Sequence, residues 1–521
     1  MSIINRMWQT LRGRVDGVLP HGSLRRRFAR GAFWTVAGAI IAQVLGLAAT
    51  IVVARLRGRE IFGDLGMVRS TVDMLGVFGG LGLGLTATRF VAQYLKTDPE
   101  RTGRIIGLNL WVGLAASAAA TAAVLLLAPV IAGQFLGAPW LVVELRIGCA
   151  ILFFESMIGT QNGVLSGLEA FRSIAKINLA RGLWSFPLVL IGVYAWGIRG
   201  VLAGLGLASA AGWVMSVIVL RREVLQKSVP VVFRGVLREW AVLWRFTLPA
   251  FLNSLMVSPV LWLANRILYV TEGGRGNMGL YDAARRWERP VLFLSLQLGL
   301  AILPLLSSLD GDGRAPAKSG RVMSGTFAAL AVVVLPVVAL LACLAGPIMS
   351  FYGSQFSGAE AMAVLAAVLF VAGTKAFGNL SGMAIAARGA MWSGLLLNLI
   401  WAAVLLTFVS LWAKNGAVGF ANAFAASYAL STVYGLLFVA FKGFMPWRLV
   451  VRVFVATVLV AAFSYGMLWA ESIWLRLGLV TLATLIGVAN AWFARGQLRA
   501  AGVALRSEPV PSTGEDTSCT F

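Results

Sequence analysis

The chain of 521 residues is 59% hydrophobic and only 12% charged, with a mean hydropathy of +0.84. Such a balance leaves too little polar surface to cover a soluble domain and points to a polytopic membrane protein. The net charge of +23 is no nucleic-acid footprint, because Lys and Arg gather in short connections between apolar runs, as the positive-inside rule expects. Cys149, Cys343 and Cys519 are scattered and His21 stands alone, so neither a disulfide framework nor a metal set is expected, and no cofactor motif is present.

Residues 1–30 form a basic preface, with Arg25, Arg26, Arg27 and Arg30 directly before the first apolar run. That run lacks a small-residue cleavage site in a polar flank and reads as a spanning helix with a cytoplasmic N-terminus. Further spans are expected near 62–94, 105–128, 140–165, 173–196 and 199–220. The first six make an N-lobe over 31–221, closed by a basic cytoplasmic linker at 222–240. A C-lobe over 241–441 follows with spans near 241–270, 278–307, 323–346, 360–386, 391–412 and 418–440. Two more spans lie in 442–495, and the Ser-, Pro- and Glu-rich tail over 496–521 is expected to be disordered and cytoplasmic. The fold class is therefore all-α integral membrane, with about 14 transmembrane helices. The connections assigned to the outside carry only Arg55, Arg57, Arg59, Arg199, Arg275, Lys414 and Arg476 of the 44 Lys and Arg residues, which fixes the expected orientation.

The two halves repeat at one offset. Phe62-Gly63 answers Met278-Gly279, Arg69 answers Arg285, Arg172 answers Arg388, and Gly200 answers Gly416, each 216 residues on. With six spans per half, the copies keep one orientation and form parallel repeats, as in transporters that enclose a central cavity.

Charged residues inside spans are costly unless they face protein or water, and here cations outnumber acids. Asp282, Arg285, Arg286 and Arg289 fall at i, i+3, i+4 and i+7, one stripe of a helix from which Glu288 is displaced. Arg69 and Asp73 share a helix face. Glu155, Arg181, Arg266 and Lys375 lie in other spans, and Pro249 and Pro259 are expected to kink or break the seventh. A surplus of guanidinium suits an anion with several oxygens, because its forked donors fit phosphate and stay charged. The competing reading pairs Arg69 with Asp73 and Arg286 with Asp282, whereas Arg285 and Arg289 have no obvious partner nearby in sequence. Glycines four apart, Gly76-Gly80-Gly84 and Gly159-Gly163-Gly167, read as close helix packing.

Several stretches match a known group. RRRFARGAFWTVAGAIIAQVLGL, GREIFGDLGMVRS, GNMGLYDAARR, the Gly82-Leu83-Gly84 triplet and LSGLEAFRSIAKINL resemble the oligosaccharide flippases of the multidrug/oligosaccharidyl-lipid/polysaccharide (MOP) exporter superfamily, the group holding Wzx-type polysaccharide biosynthesis proteins. The resemblance covers about residues 24–495. It implies two six-helix bundles in a V around a cationic cavity, plus two C-terminal helices. The implied activity is alternating-access transfer of undecaprenyl-pyrophosphate-linked oligosaccharide across the bacterial inner membrane, without enzymatic chemistry. The role of cavity cation carries over to Arg69, Arg285, Arg286, Arg289, Arg266 and Lys375, and that of ion-coupling acid to Asp73, Glu155 and Asp282. Implied partners are the lipid-linked oligosaccharide, membrane lipids, a polysaccharide polymerase and other biosynthesis proteins. The first span lacks the acid of the drug antiporters and the basic residues of lipid II flippases, which ranks those two alternatives lower.

Overall fold

The computed structural model describes residues 24–231, 239–240, 247–293, 295, 315–388, 390–470 and 472–504. The basic preface before Leu24, residues 232–238 of the linker, residues 241–246 at the start of the seventh expected span, most of the second half of the span expected at 278–307, and the tail beyond Ala504 lie outside them. All regular structure among the described residues is helical: α1 (Leu24–Gly80), α2 (Leu83–Tyr94), α3 (Pro99–Val130), α4 (Val142–Gly167), α5 (Phe171–Gln226), α6 (Leu248–Tyr269), α7 (Gly274–Arg285), α8 (Ala315–Cys343), α9 (Ala345–Ser350), α10 (Ala359–Ala387), α11 (Met391–Trp412), α12 (Gly416–Phe441), α13 (Trp447–Trp469) and α14 (Ile473–Ala504), besides short 3-10 and π turns.

Eight helical stretches among these residues are long and apolar enough to cross a membrane. Three of them, Ile40–Tyr94, Phe171–Gln226 and Trp392–Phe441, run 50 to 56 residues, whereas about 20 residues suffice for a hydrocarbon core of about 30 Å. Each contains a break in its helical backbone. In α1 the break is Gly58, at φ 78°, a backbone conformation that side chains disfavour. In α5 it is Trp196-Gly197, and between α11 and α12 it is the turn Ala413–Asn415 followed by Gly416 at φ 71°. The second predicted span has an additional interruption at Leu81-Gly82, both left-handed. Pro259 lies inside α6, which continues as helix to Tyr269, so this proline does not end it.

Contacts divide the chain into two compact units, one of residues 1–57 and 64–262, the other of 58–63 and 263–521. In the first unit, glycines bring α2 and α4 together. Thr88 donates to the carbonyl of Gly163 at 3.1 Å, and a Cβ on Gly163 would strike the backbone of Gly84. The stripe is not uniform, since Gly80 and Gly159 face open space. α3 starts cleanly because the Asp98 carboxylate accepts from the Arg101 amide at 2.8 Å and Pro99 opens the helix. A core of Ile105, Ile106, Val164, Leu165, Ile177, Leu220 and Val224 packs α3, α4 and α5 at one end.

In the second unit, residues 58–63 are held by side-chain and backbone contacts. Arg59 donates through Nε to Gly276 at 2.7 Å, to both carboxylate oxygens of Glu360 at 3.0 Å, and to Asn277 at 3.0 Å. Phe62 is fully buried against the rings of Tyr352 and Phe356. The repeat-related glycines Gly63 and Gly279 meet backbone to backbone: a Cβ on the first would strike the carbonyl of Arg275, and on the second that of Arg59.

Candidate functional site

The second unit gathers charge around α7, α10 and α12. Asp282 and Arg286 form an ion pair at 2.8 Å, with both side chains 15% exposed. Arg286 also lies 5.4 Å above the ring of Phe62. The stripe read from the sequence is interrupted here: α7 ends at Arg285, and the Trp287 amide bonds back to Ala284 across a tight turn before residues 288–293 resume as helix. That turn carries Glu288, which the straight-helix spacing sets aside, to Lys375 of α10. The two pair at 2.5 Å with side-chain exposures of 13% and 24%.

Lys375 is held from a second side, 4.5 Å from the ring of Tyr428 in α12. Arg285 lies close enough to Lys375, Tyr281 and Tyr428 to act on all three electrostatically. Arg285 and Arg289, which had no obvious partner nearby in sequence, both engage other groups, and Arg289 is exposed. On the same helix as Lys375, Asn379 donates to the Ser295 hydroxyl at 2.9 Å, which in turn donates to the Ala376 carbonyl at 3.1 Å. Arg285, Arg286 and Lys375 share these surroundings with Asp282 and Glu288, three cations to two acids among the residues named. Removing such charges from water costs several kcal/mol per ion unless they are paired and hydrogen-bonded.

The first unit holds a smaller polar set. Glu155 of α4 accepts from Arg181 at 2.6 Å and from the Ser209 hydroxyl at 2.8 Å, joining α4 to both halves of α5. Arg69 is half-buried and Asp73 exposed, and among the described residues they make no ion pair with each other. Arg266 lies in the last turn of α6 and engages another group. Among the charges proposed from sequence, the structure thus brings Asp282, Arg285, Arg286 and Lys375 together in one unit. Glu288, Tyr428 and Ser209 are the additions; nothing in local spacing marks them, because their partners come from other helices.

A family model described as polysaccharide biosynthesis protein matches residues 28–310. The chain belongs to this family. The lipid III flippase of Escherichia coli K12 is 27% identical over 298 residues, which cover 54% of this chain and 67% of that protein. Among solved structures, the lipid II flippase MurJ in an inward closed conformation is similar at a TM-score of 0.64 and 13% identity, covering 89% of this chain and 99% of that one. A multidrug resistance MATE transporter of the MOP superfamily, inward-facing, reaches 0.61 at 17% identity, covering 78% and 98%. This polysaccharide biosynthesis protein therefore has the all-helical fold of MOP transporters, as its residue patterns implied.

Proposed function

We propose that this member of the family is a flippase that moves a lipid-pyrophosphate-linked oligosaccharide, of the undecaprenyl type, from the cytoplasmic to the outer leaflet of the bacterial inner membrane for polysaccharide biosynthesis. The observation that carries the reading is the cluster of charges around α7 and α10, where Arg286 pairs with Asp282, Lys375 pairs with Glu288 and Arg285 shares their surroundings; residues 282–288 of it fall inside the family match. The E. coli relative named for lipid III transfer supports the same substrate class. In this reading Arg285, Arg286, Arg289 and Lys375, with Arg69 and Arg266, receive the diphosphate, whose charge replaces lost hydration with forked hydrogen bonds. Asp73, Glu155 and Asp282 couple transfer to an ion, access alternates between leaflets, and both termini stay in the cytoplasm.

The test is complementation in cells whose own oligosaccharide flippase is depleted, reading surface polysaccharide and the lipid-linked intermediate left inside. Wild-type protein restores the polymer, and R285A leaves the intermediate trapped at unchanged membrane abundance. Full export by R285A removes the cluster from the mechanism. Ethidium efflux conferred by the wild type without restored polymer would replace this reading with a cation antiporter.

A further inference from the structure

A second feature lies wholly in the first unit: a groove of about 760 Å³ walled by α3, α4, the second half of α5 and the segment 229–231. Leu110 and Leu114 of α3, Met157 of α4, and Val217 and Val224 of α5 make it apolar. The fourth wall is folded into place. Ser228 adopts φ 53°, the Val229 amide bonds to the carbonyl of Val224 at 3.1 Å, Lys227 donates to the carbonyl of Leu168, and Pro230 sits so tightly on Gly103 that a Cβ there would strike it. The volume lies within the range of about 300–1,000 Å³ usual for small-molecule sites. Trp111 and Leu225 stand on its rim, 55% and 77% exposed, so it opens on the outside of the unit.

Apart from Gln161 and Trp213, the polar lining is a single residue, Arg221. It is exposed, and among the described residues no carboxylate pairs with it. The nearest acid in sequence, Glu223, is occupied by the Ser173 hydroxyl at 2.5 Å. Arg221 lies at the end of α5 that positive-inside counting assigns to the cytoplasm. A greasy trough ended by a guanidinium that no carboxylate pairs among the described residues matches a phosphate joined to a long hydrocarbon chain, and the neighbouring Arg222 favours a headgroup of net negative charge.

We propose that this groove binds one anionic phospholipid of the cytoplasmic leaflet, its phosphate on Arg221 and an acyl chain along α3 and α5. The site is separate from the cluster of α7 and α10 and does not depend on what that cluster carries. Its test is native mass spectrometry of the purified full chain released from detergent with phosphatidylglycerol, phosphatidylcholine or a polyprenyl phosphate. Phosphatidylglycerol adducts should exceed those of phosphatidylcholine, and R221A should weaken them about tenfold. The adjacent exposed Arg222→Ala should change them less than about twofold, since Arg222 does not line the groove. Leu114→Trp, filling the trough from its partly exposed wall, should abolish them with the protein still monodisperse. Equal losses in R221A and R222A would reduce the effect to a general basic surface and overturn the site. Adducts surviving L114W would do the same, and displacement by polyprenyl phosphate would give the groove to an isoprenoid instead.

Discussion

Removing the amine of Lys375 should separate the structural from the functional use of its charge. Lys375 is 24% exposed, pairs with Glu288 at 2.5 Å and rests on Tyr428. K375A leaves the Glu288 carboxylate, 13% exposed, without its counter-ion. Breaking a fully buried pair costs about 3–5 kcal/mol, and the remaining access to solvent reduces this to roughly 2–3 kcal/mol. In detergent, the temperature at which half the protein is lost from the monodisperse peak should fall by several degrees. The double variant K375M/E288L removes both charges and keeps the volume. It should recover most of the loss, because replacing a buried ion pair by apolar groups is neutral or stabilising. Both variants should be defective in export, K375M/E288L despite its recovered stability, since neither presents the cation. If the double variant is as unstable as K375A, the pair is not a self-contained unit and the charge count of the cluster has been misread. If it exports normally, Lys375 has no part in substrate recognition.

Other positions give independent tests. Arg59 makes four side-chain hydrogen bonds, two of them to the half-exposed Glu360, so R59A should lower thermal stability by about 1–2 kcal/mol, and R59K should recover less than half because an ammonium cannot form the fork. G63A and G279A each push a Cβ into a backbone carbonyl and should abolish folded protein on size-exclusion chromatography. Gly46, where an added methyl would meet nothing within 4 Å, should tolerate Ala and gain up to about 1 kcal/mol. E155Q keeps an acceptor for Ser209 but drops the charge facing Arg181. It should leave abundance unchanged and abolish any dependence of transport on the ion gradient, read in proteoliposomes.

Helix positions were legible because hydrophobic runs and positive φ have local causes. Met391–Trp412 and Trp447–Trp469 appear where the apolar runs begin and end, and the turn at Gly197 follows a glycine that the sequence marks. The interruption at Leu81-Gly82 was not legible, because Leu81 carries no signal for the left-handed conformation it adopts. The same limit applies to the site. Spacing put Asp282 and Arg286 on one face, and they pair. The stripe itself assumed an unbroken helix, and the turn after Arg285 redirects Glu288 toward Lys375, 87 residues away. Long-range pairing of this kind is set by packing of helices on one another, which periodicity within a helix does not encode. The offset of 216 residues paired Gly63 with Gly279, and these two glycines are pressed together where no side chain fits.

The sequence offset also gives the sharpest remaining test, because the two arginines it pairs, Arg69 and Arg285, differ in what surrounds them. Arg285 shares its surroundings with Lys375, Tyr281 and Tyr428, whereas its counterpart Arg69 is half-buried and, among the described residues, makes no ion pair with Asp73 four residues on. A guanidinium already engaged by the fold has its geometry set before substrate arrives, and its loss disturbs neighbours. One left without a fixed partner contributes little to stability and is held in position for a ligand or for water. R69A should therefore keep the thermal stability of the wild type within about 0.5 kcal/mol while cutting export severely, and R69K should restore export only in part because it lacks the fork. R285A should lose export at unchanged membrane abundance and, unlike R69A, also lower the thermal stability of the protein in detergent. Measured side by side by thermal size-exclusion and by polymer at the cell surface, equal destabilisation of the two variants would mean that Arg69 is structural, and that only the second repeat retains charge for the substrate.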